Sequence, residues 1–310
     1  MKDPKKLAFL TIAFWSFGSY LARLMAVKSQ FLLVTISYIF TLLVFLIYCV
    51  SVYKNLFFDK VKRNIKKGFL VGPFGYFIYS AALMQSYRAF DNASETTILN
   101  YTWLIFTVIF SDLFFRKDCR TSRILRLIEA FGIALGFMSI VILATQGRIT
   151  SLDSLNIKGL AWGSLAGISY GFFSAFSSTV DQEDQSAFLF TSILASTLWM
   201  GIFSIQEIDL ISGITLNDLT IVAVRGCFLN GAGYITWTSA NRIAREKGVS
   251  ISSIASLMFL LPLLSLIIIA ILLKENSLLK KYFLVSLVLI ILSGYISQRS
   301  ETIADLIEKK

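Results

Sequence analysis

The sequence predicts an all-α integral membrane protein, ten transmembrane helices arranged as two inverted five-helix repeats around a central cavity. Three observations carry that expectation. The 310 residues have a mean hydropathy of +0.72, with 56% hydrophobic and only 15% charged residues, too little polar surface for a domain that must face water on all sides. Uncharged runs such as 31–50 and 251–273 are long enough to cross a hydrocarbon core of about 30 Å, which takes about 20 helical residues. The third is a pattern in the second half that partly copies the first.

Taken in order, the first span (7–26) carries Trp15 beside Ser16 and has no small-residue cleavage site after it, so it is expected to stay as a helix. The second (31–51) leads into a basic loop over 54–67. The third (68–87) opens on Pro73 and carries Tyr76 and Tyr79. The fourth (94–115) begins near Glu95 and sets Thr97, Asn100, Tyr101, Thr107 and Ser111 at helical spacing, with Trp103 expected to point away from Asn100. A fifth span (127–145) closes the first repeat, residues 1–147; the second repeat covers 148–310. Its spans are 159–179, with Trp162 beside Gly163; 187–205; 218–240, with Arg225, Tyr234 and Trp237; 249–273, with Pro262 halfway; and 282–298.

The 29 Lys and Arg exceed the 19 Asp and Glu, but their placement argues against a nucleic-acid partner. They cluster in alternate connections: Lys60, Lys62, Arg63, Lys66 and Lys67; Arg116 to Arg126; Arg242, Arg245 and Lys247. That is the positive-inside pattern of a multi-pass protein of the cytoplasmic (inner) cell membrane with both termini in the cytoplasm. Cys49, Cys119 and Cys227 have no paired spacing, so neither a disulfide framework nor a metal site is indicated, and no cofactor is expected. With no His in the chain, His-based zinc sites, Ser-His triads and imidazole proton relays are excluded.

The repeat is read from matched positions. Gly75-Tyr76 and Tyr79 recur as Gly233-Tyr234 and Trp237, displaced by 158 residues; Phe115, Lys117 and Asp118 recur as Leu272, Lys274 and Glu275, displaced by 157. A five-span unit ends on the opposite side from where it began, so its copy must be inverted. Secondary transporters reuse that arrangement, with the substrate held between the halves near the midplane.

These residues resemble the EamA-type ten-helix carriers of the drug/metabolite transporter superfamily. Asn100-Tyr101-Thr102-Trp103 is similar to the Asn-Tyr-Leu-Trp-Pro run of the family's aromatic amino-acid exporters, with Thr102 for the leucine and Leu104 for the proline. Lys117-Asp118 and Lys274-Glu275 resemble the Gly-Glu ends of spans four and nine, with Lys for Gly in both halves, and Glu95 falls where related sequences carry an acid. The resemblance implies a basket of helices around a central cavity and export of amino acids or similar small metabolites.

A substrate site is expected from groups that are costly in lipid. Asn100 offers hydrogen bonds, and Trp15, Tyr76, Tyr79, Tyr101, Trp103, Trp162, Tyr234 and Trp237 offer aromatic surface; Trp15 and Trp162 stand at similar places in the spans that open each half. Arg225 is the one basic residue well inside a span, and a substrate carboxylate or phosphate is one partner for it; snorkelling toward Asp218, two turns earlier, is the other. Glu95 is the residue to test for coupling and Pro262 for gating. Without a central acid or any His, uniport or exchange is favoured over proton antiport. The expected partners are the bilayer and a small-molecule substrate, with the chain a monomer or loose dimer. A nucleotide, nucleotide-sugar or S-adenosylmethionine exchanger is the alternative carrier. An integral membrane enzyme or receptor is the alternative class, and no convergent set of titratable groups points to an enzyme.

Overall fold

The computed structural model describes residues 3–18, 20–21, 31–90, 93–114, 122–145, 156–272 and 281–308. Among them the chain is helical throughout, with no strand. Helix α1 (Pro4–Trp15) starts at Asp3, whose carboxylate accepts the Lys5 N–H at 2.9 Å, with Pro4 placed where its missing N–H has no ladder bond to lose. Then follow α2 (Phe31–Tyr53), a 3-10 turn (Lys54–Leu56), α3 (Phe57–Pro73), a π turn (Phe74–Ile78) and α4 (Tyr79–Ala89). Next come α5 (Ala93–Phe114) and α6 (Arg123–Thr145). The second half holds α7 (Ile157–Ser177), α8 (Gln185–Ser204) with a 3-10 extension (Ile205–Gly213), α9 (Leu216–Val224), a π segment (Arg225–Ala232) and α10 (Gly233–Glu246). It ends with α11 (Ile251–Leu257), α12 (Leu260–Leu272), α13 (Lys281–Gln298) and α14 (Ser300–Glu308).

Five helical stretches among the described residues are long and apolar enough to cross a membrane: 31–89, 123–142, 185–213, 216–246 and 251–272. A sixth is added if 282–298 and 300–308, bent by 63°, count together. The stretch 31–89 merges the second and third expected spans. Its two limbs, α2 and α3, both pack on α8, and Lys54 between them takes the left-handed φ of +48°. Helix α5 contributes a shorter apolar segment, Ile98–Leu113, and α7 is diluted by glycine and serine. The exterior is apolar as well: Leu70 is 72% exposed, and Ile47, Leu113, Leu127 and Ile271 also lie open. Such a surface suits lipid as solvent. The division near residue 147 lies outside the described residues.

Helix pairs pack closely because small residues line the contacts. On α7, Gly159, Gly163, Gly167 and Gly171 recur every four residues and meet Phe90 or α5; a Cβ on Gly167 would overlap the Thr102 hydroxyl, and one on Gly171 would overlap Phe106. Helix α6 packs on α13, where Ser286 donates to Ser139 O (2.9 Å) and Ser293 to Gly132 O (2.6 Å). The ninth expected span runs as one apolar stretch, 251–272, interrupted by a turn at 258–259. Pro262 has no N–H for the Met258 carbonyl, which instead accepts the Leu261 N–H at 3.0 Å, and the break between α11 and α12 falls there.

Candidate functional site

A cavity of about 500 Å³ lies between the helices of both halves. Its wall is built by α1 (Trp15), α2 (Val34, Tyr38), α4 (Tyr79, Ser80, Leu83, Met84, Tyr87), α5 (Asn100, Tyr101, Trp103), α7 (Tyr170), the π segment (Arg225, Leu229, Asn230), α10 (Tyr234) and α12 (Leu261, Ser265), together with Gly18. It reaches the surface at Tyr87, which is 43% exposed. Away from Tyr87, the rings behind its floor are fully buried.

Two π turns shape this wall. Each inserts one residue into the helical ladder, so side chains after it are turned relative to those before it. After Phe74–Ile78 come the wall residues Tyr79, Ser80, Leu83, Met84 and Tyr87; within 225–232 lie Arg225, Leu229 and Asn230. Both turns are tied to α2. Tyr38 OH donates to Tyr76 O at 2.7 Å and lies 2.7 Å from Ser80 Oγ, while Thr41 Oγ1 donates to Gly226 O at 3.0 Å.

The floor is an aromatic box. Trp15 stands edge-on to Trp103 (6.1 Å between centroids), Tyr170 (6.2 Å) and Tyr234 (5.7 Å). Trp103 makes edge contacts with Tyr170 (5.0 Å) and Trp237 (5.2 Å), and Tyr76 stacks on Tyr234 at 4.4 Å. At about 0.5–1.5 kcal/mol per pair beyond burial, this many pairs give a stiff platform. Three of the polar ends are anchored: Trp15 Nε1 donates to Leu229 O (2.8 Å), Tyr234 OH to Gly75 O (3.0 Å) and Trp237 Nε1 to Ser174 Oγ (3.1 Å), while the buried Tyr76 hydroxyl has no hydrogen-bond partner among the described residues.

Glycine makes room for Trp15 and for Phe173, a buried ring 5.4 Å from that of Tyr76. A Cβ on Gly233 would collide with the Trp15 indole, and one on Gly75 would collide with the Phe173 ring. Gly233 follows Gly75 by 158 residues, and Phe173 follows Trp15 by the same 158. The same spacing thus separates the two glycines and the two rings that they admit.

Arg225 is half-buried in the wall, within electrostatic reach of the Tyr38 and Tyr79 hydroxyls. Asp218 is not its counter-ion. That carboxylate closes a capping box at the start of α9, accepting from Thr215 N (3.0 Å) and Thr215 Oγ1 (2.6 Å). Glu207 accepts from Phe31 N (2.8 Å) and Leu32 N (3.0 Å), and Arg88 stands 4.0 Å from it. Among the described residues no carboxylate lines the cavity and no ion pair forms at Arg225. Asn100 Oδ1 is buried there without a hydrogen-bond partner.

Of the residues expected from sequence, the cavity brings together Trp15, Tyr79, Asn100, Tyr101, Trp103, Arg225 and Tyr234. Trp103 lies on the same wall as Asn100 because three residues of helix bring the chain to within about a sixth of a turn. Tyr76 and Trp237 sit one layer behind, fully buried. Trp162 does not join them: it is 41% exposed, on the outside of α7. Phe173, 158 residues after Trp15, is the ring that meets Gly75 as Trp15 meets Gly233. Pro262 is buried between the wall residues Leu261 and Ser265. Glu95 and Thr97 belong to α5, but their side chains lie outside the described residues, as do Phe115, Lys117, Asp118, Lys274 and Glu275. Tyr38, Ser80, Tyr170 and Asn230 were not expected. Tyr170 carried a usable signal, lying near the centre of its span; Tyr38 did not, since lone tyrosines in apolar runs are common.

No family model matches the chain, and no curated protein matches it. Among solved structures, one protein crystal structure aligns over 98% of this chain and 98% of its own length, with 17% identity and a TM-score of 0.73. That likeness concerns the fold alone. The class defined so far is a helical protein with several helices fit to span a membrane.

Proposed function

We propose that the chain is a secondary carrier of the EamA-type drug/metabolite transporter superfamily, moving amino acids or related small organic metabolites by alternating access across the cell membrane. In this reading ten spans form two inverted repeats, both termini are cytoplasmic, and the cavity opens away from the cytoplasm. The observation that carries it is the exchange of packing partners between residues 158 apart. Gly75 receives Phe173 where Gly233 receives Trp15, and the matched rings Tyr76 and Tyr234 stack on each other, as residues astride a two-fold axis do.

The helix contacts follow the same rule. Helix α4 packs on α7 as α10 packs on α1, and α3 packs on α8 as the π segment packs on α2. Helices α2 and α8, α6 and α13, and α5 and α11 meet as matched pairs. Between the halves lies a half-polar cavity that holds a guanidinium, amides and an aromatic floor.

The test uses protein in liposomes, assayed for counterflow of labelled amino acids, organic acids and nucleotides with and without a pH gradient. Saturable counterflow of a small metabolite, indifferent to the gradient, is expected. Flux of nucleotides only would overturn the substrate choice, flux driven by pH would overturn the coupling choice, and no counterflow of any solute would overturn the carrier reading.

A further inference from the structure

We propose that a groove between α11–α12 and α13 binds a phospholipid with a net negative headgroup, drawn from the leaflet on the side of the chain's C-terminus: one acyl chain lies in the groove and the phosphate meets Arg299. The proposal needs the helices to span a membrane but does not rest on the carrier reading.

The groove has a volume of about 350 Å³ and shares no lining residue with the aromatic cavity. One wall is a stripe of α13, Ile290, Ile291, Gly294, Tyr295, Gln298 and Arg299, whose spacing keeps them on one helical face. The other is formed by Ser256 and Leu257 of α11 and Leu260 of α12. Two residues keep the gap open. Gly294 brings no side chain, and a Cβ there would meet nothing within 4 Å. At the turn between α11 and α12, the Phe259 ring is fully buried against Gly136 of α6 instead of filling the gap. The walls are also held in place: Gln298 Nε2 donates to Ser253 O, and Ser286 and Ser293 bond α13 to α6.

Length, depth and charge argue for a lipid. From Ile290 to Arg299 the stripe runs about 14 Å, close to one leaflet's share of a hydrocarbon core of about 30 Å. Its deep end is aliphatic, and exposed Ile291 and Tyr295 leave its flank open to the bilayer. At the mouth the Arg299 guanidinium lies 5.6 Å from the centroid of the Tyr295 ring, which steadies the charge there. The chain then bends by 63° into α14, where exposed Leu306 and Ile307 alternate with Asp305 and Glu308, the pattern of a helix lying along a membrane surface. Arg299 therefore stands at headgroup level, and a guanidinium takes two phosphate oxygens through parallel hydrogen bonds. Glu301 lies past the bend and does not line the groove. Gln298 Oε1 is buried with no partner among the described residues, an acceptor suited to a headgroup hydroxyl. A glycerol headgroup brings hydroxyls and leaves a net negative charge; a choline headgroup does neither.

The test is lipid binding to the full chain in detergent, read by native mass spectrometry. The probes are phosphatidylglycerol and phosphatidylcholine with identical acyl chains, and glycerol 3-phosphate as a headgroup without chains. One basic residue at an anionic interface is worth about fivefold in affinity, so the first phosphatidylglycerol should bind at least about that much more tightly than phosphatidylcholine, and glycerol 3-phosphate should not compete. The basic stretch 54–67 also draws anionic lipid, so two variants locate the site. Arg299→Gln should remove the preference. Gly294→Leu, which fills the groove where a Cβ meets no other atom, should weaken both lipids several-fold. Folding of both variants is checked by thermal unfolding, and Gly294→Leu alone decides if Arg299→Gln does not fold. Equal affinity for the two lipids, a preference kept by Arg299→Gln, undiminished binding by Gly294→Leu, or competition by glycerol 3-phosphate would each overturn the proposal. None of these readouts involves transport, so failure here leaves the carrier reading standing and failure of counterflow leaves the lipid site standing.

Discussion

The two ends of the helix bundle handle charge in opposite ways. Where α3 meets α8, cations and anions pair: Lys60 Nζ lies 3.1 Å from Asp184 and 3.3 Å from Glu183, Arg63 Nε lies 3.4 Å from Asp184, and Arg242 bonds Glu246 (2.7 Å) and Gln185 (3.0 Å). Ser250 donates to Glu129 at the same end. At the cavity end, Asp218 and Glu207 hold backbone N–H groups at helix starts, and Arg225 faces only hydroxyls and amides among the described residues. The equivalent aromatic contacts differ in the same sense, since Phe173 is fully buried while Trp15 opens onto the cavity. One of these glycine–ring contacts is sealed and the other borders the cavity.

The comparison is broken most severely through the sealed contact itself. A Cβ on Gly72 would overlap the Ser192 backbone where α3 lies against α8, and backbone yields less readily than a flexible side chain. We expect Gly72→Val to destabilise the protein by about 3 kcal/mol, seen as a lower midpoint of thermal unfolding in detergent. Gly294→Ala on α13, with nothing within 4 Å, serves as the control and should be neutral or slightly stabilising. Equal effects at the two sites would mean that the α3–α8 approach is not tight.

A smaller effect sharpens the comparison. Asp184 is buried and receives both Lys60 and Arg63, so Asp184→Asn removes the anion on which that end converges. Solvent screens most of this cluster, so its loss should shift a two-state equilibrium only modestly toward an opened α3–α8 end. The readout is the modification rate of a cysteine at Ser239, which lies beside Gln185, in a chain freed of its native cysteines; an unchanged rate would show that packing alone seals this end. The pH dependence has a definite sign. Bonding to Asp184 raises the Lys60 pKa above its usual value, so this contribution is fully present below the ordinary lysine range and is lost only as pH rises through the raised pKa. Modification of Ser239→Cys, corrected for thiol ionisation, should stay flat from pH 7 to about 10.

The apolar spans and the special status of Arg225 were legible because both are compositional: uncharged runs of sufficient length, and one cation where none belongs. The matched Gly75 and Gly233 were legible as a spacing, and the structure gives that spacing a physical cause in the rings that each glycine admits. The two π turns were not legible. A single inserted residue leaves no mark in hydropathy, yet it decides which side chains of α4 face the cavity. Tyr38 escaped notice for a related reason, since its role depends on the Tyr76 carbonyl that the first π turn presents.

The smallest predicted effect concerns the pair of tryptophans whose equivalence the structure breaks. Trp15 and Trp162 are 147 residues apart, whereas Trp15 and Phe173, like Gly75 and Gly233, are 158 apart, a difference of three helical turns. Position 173, not 162, meets a glycine as Trp15 does. Trp162 is 41% exposed on the outer face of α7, so Trp162→Leu should leave the counterflow rate within about twofold and stability within about 0.5 kcal/mol. Trp15→Leu, by contrast, removes three edge-on ring contacts and the bond to the Leu229 carbonyl, and should slow counterflow by tenfold or more. Equal losses in the two variants would restore the equivalence of the two tryptophans and with it a different register between the halves.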